Sequence, residues 1–280
     1  MYDKLPDIQE NTKPEVKEYI DYVGIQKVKI PIIFCENHNL FKTVADVSMS
    51  VNLPYNVRAA SMSEFTRYLK EYIDEQIIIP DDILKLLKSF HKISRSDSWN
   101  ISTIKFNFDY KRNISSPISE NIFPQYYKCF LQFNLFDDIL TTCKGLTVPY
   151  SSYCPCSKAL CDYTGEGIPH AQRSYCDLIV ESEEKVLTLD YLIRLVEDCV
   201  VNRVYPIIRR IDEKEIAIIA SKNTFFVEDI IRNIKRHLKY MYYTKDWIVR
   251  LRHEDNIHTH DIVAMSWKGT EGGFNEKTFL

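Results

Sequence analysis

The chain has 280 residues, 45% of them hydrophobic and 27% charged, which is enough apolar material to bury one large core or two modest ones. A net charge of −3 and a pI near 6.2 exclude a global basic field of the kind that recruits nucleic acid or an anionic membrane, so an anionic ligand must be held by a local pocket. The opening MYDKLPDIQENTKPEVKEY has neither the apolar run of a signal peptide nor the Arg-rich character of a transit peptide, and no apolar stretch approaches the roughly 20 residues that span a bilayer. The expectation is a soluble, cytoplasmic protein without membrane or nucleic-acid partners.

In chain order, 25–35 and 41–53 alternate apolar and polar residues like paired strands. Helical spacing follows at 62–74, through Phe65, Tyr68, Leu69 and Tyr72, and at 81–92, opened by Pro80 and Asp81. Alternation returns at 99–110 and 126–135, separated by a polar connector at 111–125 that reads as a long loop. The second half repeats the order: strands near 139–149 and 173–181, helices at 188–201 (N-cap Thr188) and 227–242, then strands at 246–254 and 258–267. The expected class is α+β, as two tandem ββααββ modules, 1–136 and 137–280, each an antiparallel sheet with a helix pair on one face.

Eight cysteines, at 35, 129, 143, 154, 156, 161, 176 and 199, would permit four disulfides in a secreted protein, but a cytosolic chain of this size does not need them. Cys129, Cys143, Cys176 and Cys199 sit in apolar or alternating runs and read as small buried hydrophobes. Cys154 and Cys156 differ, because Pro155 holds the two thiols on one stiff arc where a disulfide would close a strained ring. That favours metal ligation or a reactive thiol. A second CxxC is absent, which argues against a four-thiolate zinc ribbon, whereas a catalytic site needs only about three protein ligands. His170, Glu213, His258 and His260 are the candidates to join the cysteines. By residue type alone, Glu213 and Glu228 read as solvated charges at helix starts, and His258 and His260 as half-buried strand residues.

The string CPCSK followed by HAQRS resembles CPCSK…GAHNQRS of type IB GTP cyclohydrolase I, a prokaryotic family. The resemblance runs over nearly the whole chain, through LPDIQ at 5–9, DYVGIQKVKIPI, VYPIIRRIDEKE, NTFFVEDIIR and NIHTHDIVA. It implies the tunnelling fold, a homotetramer, and a zinc, manganese or iron ion on Cys154, His170 and Glu213. It further implies that Glu228 binds the guanine of GTP, that Cys156 and His258 move protons with His260 as alternate, and that Lys158, Arg173 and Lys214 meet phosphates. The implied reaction opens the guanine imidazole ring, releases formate and gives 7,8-dihydroneopterin triphosphate.

The chain departs from the family pattern in three places. Where members carry KGxHMSRF, this chain has Arg58-Ala59-Ala60-Ser61-Met62-Ser63-Glu64-Phe65, so a histidine has become Ser61 and an arginine Glu64. The segment between CPCSK and HAQRS is longer and carries Cys161, and Ala171 replaces an asparagine. These changes keep open a paralogue acting on another purine nucleotide or nucleoside, a non-catalytic nucleotide-binding subunit, and a thiol hydrolase using Cys156.

Overall fold

The computed structural model describes residues 8–36, 39–73, 77–95, 101–182 and 187–279. The start of the LPDIQ motif, residue 74 of the expected first helix and residues 99–100 of an expected strand lie outside the described residues. The elements run α1 (Ile8–Asn11), β1 (Ile20–Glu36), β2 (Asn39–Leu53), α2 (Met62–Ile73), β3 (Ile77–Ile78), α3 (Pro80–Ser94), β4 (Ile101–Ser115) and β5 (Ile122–Phe136). They continue with β6 (Ile139–Tyr153), α4 (Pro155–Thr164), β7 (Ala171–Glu181), α5 (Leu189–Val200), α6 (Arg210–Lys222), α7 (Val227–Lys239), β8 (Asp246–Glu254) and β9 (Ile262–Trp267), and end in a short 3-10 turn, Glu276–Phe279.

The expectation of two tandem modules with separate sheets is corrected here. The strands form one nine-stranded sheet, ordered β3-β1-β2-β4-β5-β6-β7-β8-β9. The reason lies at the midpoint, where β5 and β6 are joined only by Asp137 and Asp138, with φ of 44° and 65°. Two successive positive φ values make the tight turn whose twist matches a hairpin, so the two strands pair directly. The helices also differ from a pair per half, since α4 and α6 join α5 and α7 in the second half. The connector expected over 111–125 is mostly strand, with only residues 116–121 left between β4 and β5.

Two compact units divide the chain, residues 1–108 with 130–142, and 109–129 with 143–280. In the first, α2 and α3 bury Phe65, Leu69, Ile83, Leu86, Leu87 and Phe90, while β2 and β4 bury Ala45, Val47, Met49, Ile104 and Phe106. Gly24 is required in β1 because a Cβ there would meet the Met49 carbonyl oxygen at 1.9 Å. In the second unit, α5 and α7 bury Leu192, Ile193, Val196, Ile230, Ile234 and Leu238, and β6, β7 and β8 bury Val148, Leu178 and Leu251. Thr188 caps α5 as expected, its hydroxyl accepting from Tyr191 N at 3.1 Å.

A charged network is buried in this second unit. Arg112 of β4 donates through Nε to Asp190 and through Nη1 to Glu197, each at 2.8 Å, and the Tyr127 hydroxyl donates to the other Glu197 oxygen at 2.6 Å. The Glu197 side chain is only 7% exposed, so its charge depends on these partners. Glu197→Leu would leave Arg112 Nη1 and the Tyr127 hydroxyl facing an apolar group, with only the Asp190 pair retained, and should lower unfolding free energy by about 3 kcal/mol. Urea denaturation measures this, and Arg112→Met combined with Glu197→Leu should recover at least half of the loss.

Candidate active site

Cys154 follows β6 and is the N-cap of α4, with Pro155 at the first helical position where its missing N–H costs nothing. Its sulfur accepts from Ser157 N at 3.5 Å, and its own N–H donates to the His170 carbonyl at 3.2 Å. Ser157 completes the link, its hydroxyl accepting from His170 N at 3.4 Å. Cys154 and His170, 16 positions apart, are thereby tied through the backbone. The segment bearing Cys161 begins as helix, since α4 runs to Thr164 and closes on Gly165 at φ 72°.

These residues open one side of a cavity of about 480 Å³. Cys154, Cys156, Ser157 and His170 line it together with Gln172, His253, Asp255, His258 and, from the α7 start, Phe226 and Glu228. That volume falls in the range of small-molecule sites. Of the residues expected at the site, the cavity gathers Cys154, Cys156, His170, Glu228 and His258. It does not gather Glu213, exposed on the first turn of α6, or His260. Lys158 lies one turn into α4 and pairs with Asp162. Arg173 is exposed on β7, where strand alternation turns it to the face opposite Gln172. Lys214 follows Glu213 on α6, away from the lining.

The histidines expected in a strand occupy the turn before β9 instead. Asp255 makes that turn, its carboxylate accepting from Ile257 N at 2.8 Å and His258 N at 3.3 Å. The other carboxylate oxygen lies 3.0 Å from His258 Nδ1, and the His258 and His260 rings stack at 5.1 Å. The Ile257 amide and the His258 side chain bring the Asp255 carboxyl down to about 2. A carboxylate on Nδ1 fixes the imidazole orientation and leaves Nε2 for chemistry.

Three residues that line the cavity, Asp255, Gln172 and His253, were not singled out from the sequence. The His253 Nε2 lies 2.8 Å from the Tyr150 hydroxyl, and its Nδ1 lies 3.3 Å from both Ser152 Oγ and Gln172 Nε2. Asp255 carried a signal in the turn-forming Asp-Asn pair at 255–256. For His253 the signal was its place on the core-facing side of β8, after Trp247, Val249 and Leu251.

The donor set suits a divalent metal. Thiolate and imidazole are the ligands that hold zinc, and His170 Nδ1 is buried with no hydrogen-bond partner, as a nitrogen reserved for a metal would be. Among the described residues, three ligand-type side chains do not converge within coordinating reach of one point, so the cavity of this chain supplies a partial set.

His253 is 3% exposed, and burial pushes its pKa from 6.5 to about 4 against the opposing pull of the Glu228 and Asp255 carboxylates. The folded state therefore holds the ring neutral where the unfolded chain protonates it. The stability this contributes is complete above pH 6.5 and is lost as pH falls towards 4. The urea midpoint at pH 4.5 should reflect a loss of about 2–3 kcal/mol relative to pH 7.5 from this group, and His253→Phe should flatten that slope.

A family model described as type I GTP cyclohydrolase folE2 matches residues 5–264. The GTP cyclohydrolase FolE2 of Hydrogenovibrio crunogenus is 28% identical over 98% of this chain and 97% of its own length, and that of Dictyoglomus thermophilum is 30% identical over 95% and 98%. The FolE2 of Citrifermentans bemidjiense is 31% identical over 88% of each. Among solved structures, the uricase of Arthrobacter globiformis aligns with a TM-score of 0.52 at 9% identity, covering 92% of this chain and 96% of that one. A hyperthermostable mutant of Bacillus sp. TB-90 urate oxidase gives 0.51 at 9%, covering 90% and 99%, and at such identity the likeness concerns the fold alone. This chain belongs to the type I GTP cyclohydrolase folE2 family.

Proposed function

We propose that this chain is a working GTP cyclohydrolase that opens the guanine imidazole ring of GTP, releasing formate and giving 7,8-dihydroneopterin triphosphate. The observation that carries this reading is the gathering of Cys154, Cys156, His170, Glu228 and His258 around one cavity. Glu228, on the first turn of α7, accepts the N1 and N2 hydrogens of guanine, a two-point match that a carboxylate suits. Cys154, His170 and Glu213 hold a divalent cation, zinc, manganese or iron. When bound, that cation supplies Lewis acidity that makes water nucleophilic near neutral pH. His258, oriented by Asp255, moves protons through Nε2 as the ring opens, and Cys156 is the second proton-handling group.

Glu213 stands outside the cavity lining of a single chain, so on this reading it reaches the cation in an assembled homotetramer. The chain works in the cytoplasm. No helix among the described residues is long and apolar enough to cross a membrane. Residues 137–280 carry the site as one functional half.

Incubation of the metal-loaded protein with GTP should release formate and generate pterin fluorescence. Absence of formate from GTP, GDP, GMP and guanosine alike would overturn the enzyme reading, and turnover of only the less phosphorylated members would reveal a paralogue shifted by Ser61 and Glu64. Cys154→Ala should reduce bound metal at least tenfold by elemental analysis. If Glu213→Ala keeps wild-type metal content, the third ligand is not Glu213 and Cys156 is the cavity's own alternative.

A further inference from the structure

We propose that Gln172 is a specificity-determining residue that accepts a hydrogen bond from the exocyclic amine of the purine, with His253 as the residue that orients its carboxamide. The proposal rests on the reading of Glu228 as guanine anchor and extends it to a second group.

The argument is one of donors and acceptors. A guanine attached to ribose has three N–H hydrogens, one on N1 and two on the exocyclic amine. A carboxylate at Glu228 takes the N1 hydrogen and one of the amine pair, which leaves one donor. Of the acceptors around the cavity, Asp255 is committed to Ile257, His258 N and the His258 ring. His170 Nδ1 is claimed by the metal on the same reading. Gln172 lines the cavity, is 8% exposed, and its Oε1 is buried without a hydrogen-bond partner. One unmet acceptor thus matches one unmet donor. A buried acceptor left unpaired is costly, so a ligand that satisfies it is favoured over one that does not.

His253 decides which end of the carboxamide is free. The Gln172 amide nitrogen, which can only donate, lies 3.3 Å from His253 Nδ1, so in this arrangement Nδ1 is the acceptor and the neutral ring carries its hydrogen on Nε2, towards Tyr150. The oxygen is then the end left over. A protonated imidazole would demand the oxygen and turn the amide nitrogen outwards, presenting a donor to the base instead. Burial keeps the ring neutral, and with it the preference for an amine-bearing purine.

The test compares GTP with inosine triphosphate, which lacks the exocyclic amine, in the metal-loaded protein. The readouts are the KM for GTP and the inhibition constant of inosine triphosphate against GTP turnover. Gln172→Leu should raise the GTP constant about tenfold, the order expected for one hydrogen bond, while leaving inosine triphosphate within about twofold. His253→Phe, which keeps a ring but releases the carboxamide, should lower the preference for GTP by at least about threefold. Equal weakening of both nucleotides, or of neither, in Gln172→Leu overturns the assignment, because a residue that only shapes the cavity cannot sense the amine. An unchanged preference in His253→Phe overturns the orienting role. Glu228→Gln should weaken both nucleotides, since both carry the N1 hydrogen. If it weakens neither, the failure belongs to the base-anchor reading beneath the proposal.

Discussion

The hydrogen bond between Tyr150 and His253, 2.8 Å long and fully buried, joins β6 to β8 across β7, and the geometry of the cavity floor depends on it. It exists because of what lies between. Tyr150 is in register with Ser174, and Ser174 with His253, so a small side chain separates two large ones on the same sheet face. Ser174 instead bonds Ser152 at 2.7 Å, and Ser152 and Gln172 complete the polar patch around the imidazole. A patch of this kind inside an apolar sheet face is worthwhile only if each member is satisfied. Its members are, apart from one carboxamide oxygen, and that exception sits at the cavity.

The opposite wall is organised by Cys154, whose thiol is also a helix cap. The sulfur sits at the N-terminus of α4 and accepts from the Ser157 amide, which fixes its position. Helix and thiol are thus one device. The proline that makes the CPC arc stiff starts the helix, the helix aligns the amide that steadies the sulfur, and Ser157 carries the same alignment to His170. This explains how a helix with no buried residue keeps a defined start. Its position comes from the cap and the Cys154–His170 backbone bond, not from packing.

The same fact explains what the sequence concealed. Periodicity detects elements through burial, so β4, with alternate residues from Ser102 to Tyr110 buried, and α7, with Val227, Ile230, Ile231 and Ile234 buried, were legible. α4 buries none of its residues and α6 only Asp212 and Ala220, which leaves no apolar stripe to read. Strand pairing was hidden for another reason. Alternation says that a strand has a buried face but not which neighbour it bonds, and the turn at Asp137-Asp138 lacks the Asn-Gly or Asp-Gly signature of a hairpin. Of the residues singled out in recognisable strings, the cavity gathers Cys154, Cys156, His170, Glu228 and His258. The polar floor was not legible, because a histidine on the core side of a strand looks like packing until its partners are seen.

The charge of the cavity limits what it can hold. Among the described residues that line it, the charged side chains are Glu228 and Asp255, with no lysine or arginine, and His253 beneath them is neutral. Such a pocket repels a triphosphate and suits an uncharged, donor-rich base. Phosphate groups must then lie beyond the lining. Lys158 pairs with Asp162 and Arg173 stands on the opposite sheet face, so neither is held at the base. The substitution that introduces Glu64 is milder than its sign suggests, because its carboxylate pairs with Arg67 one turn along α2. An exposed pair of this kind contributes little to stability and leaves little net field. The negative charge gained at that position is largely answered within its own helix.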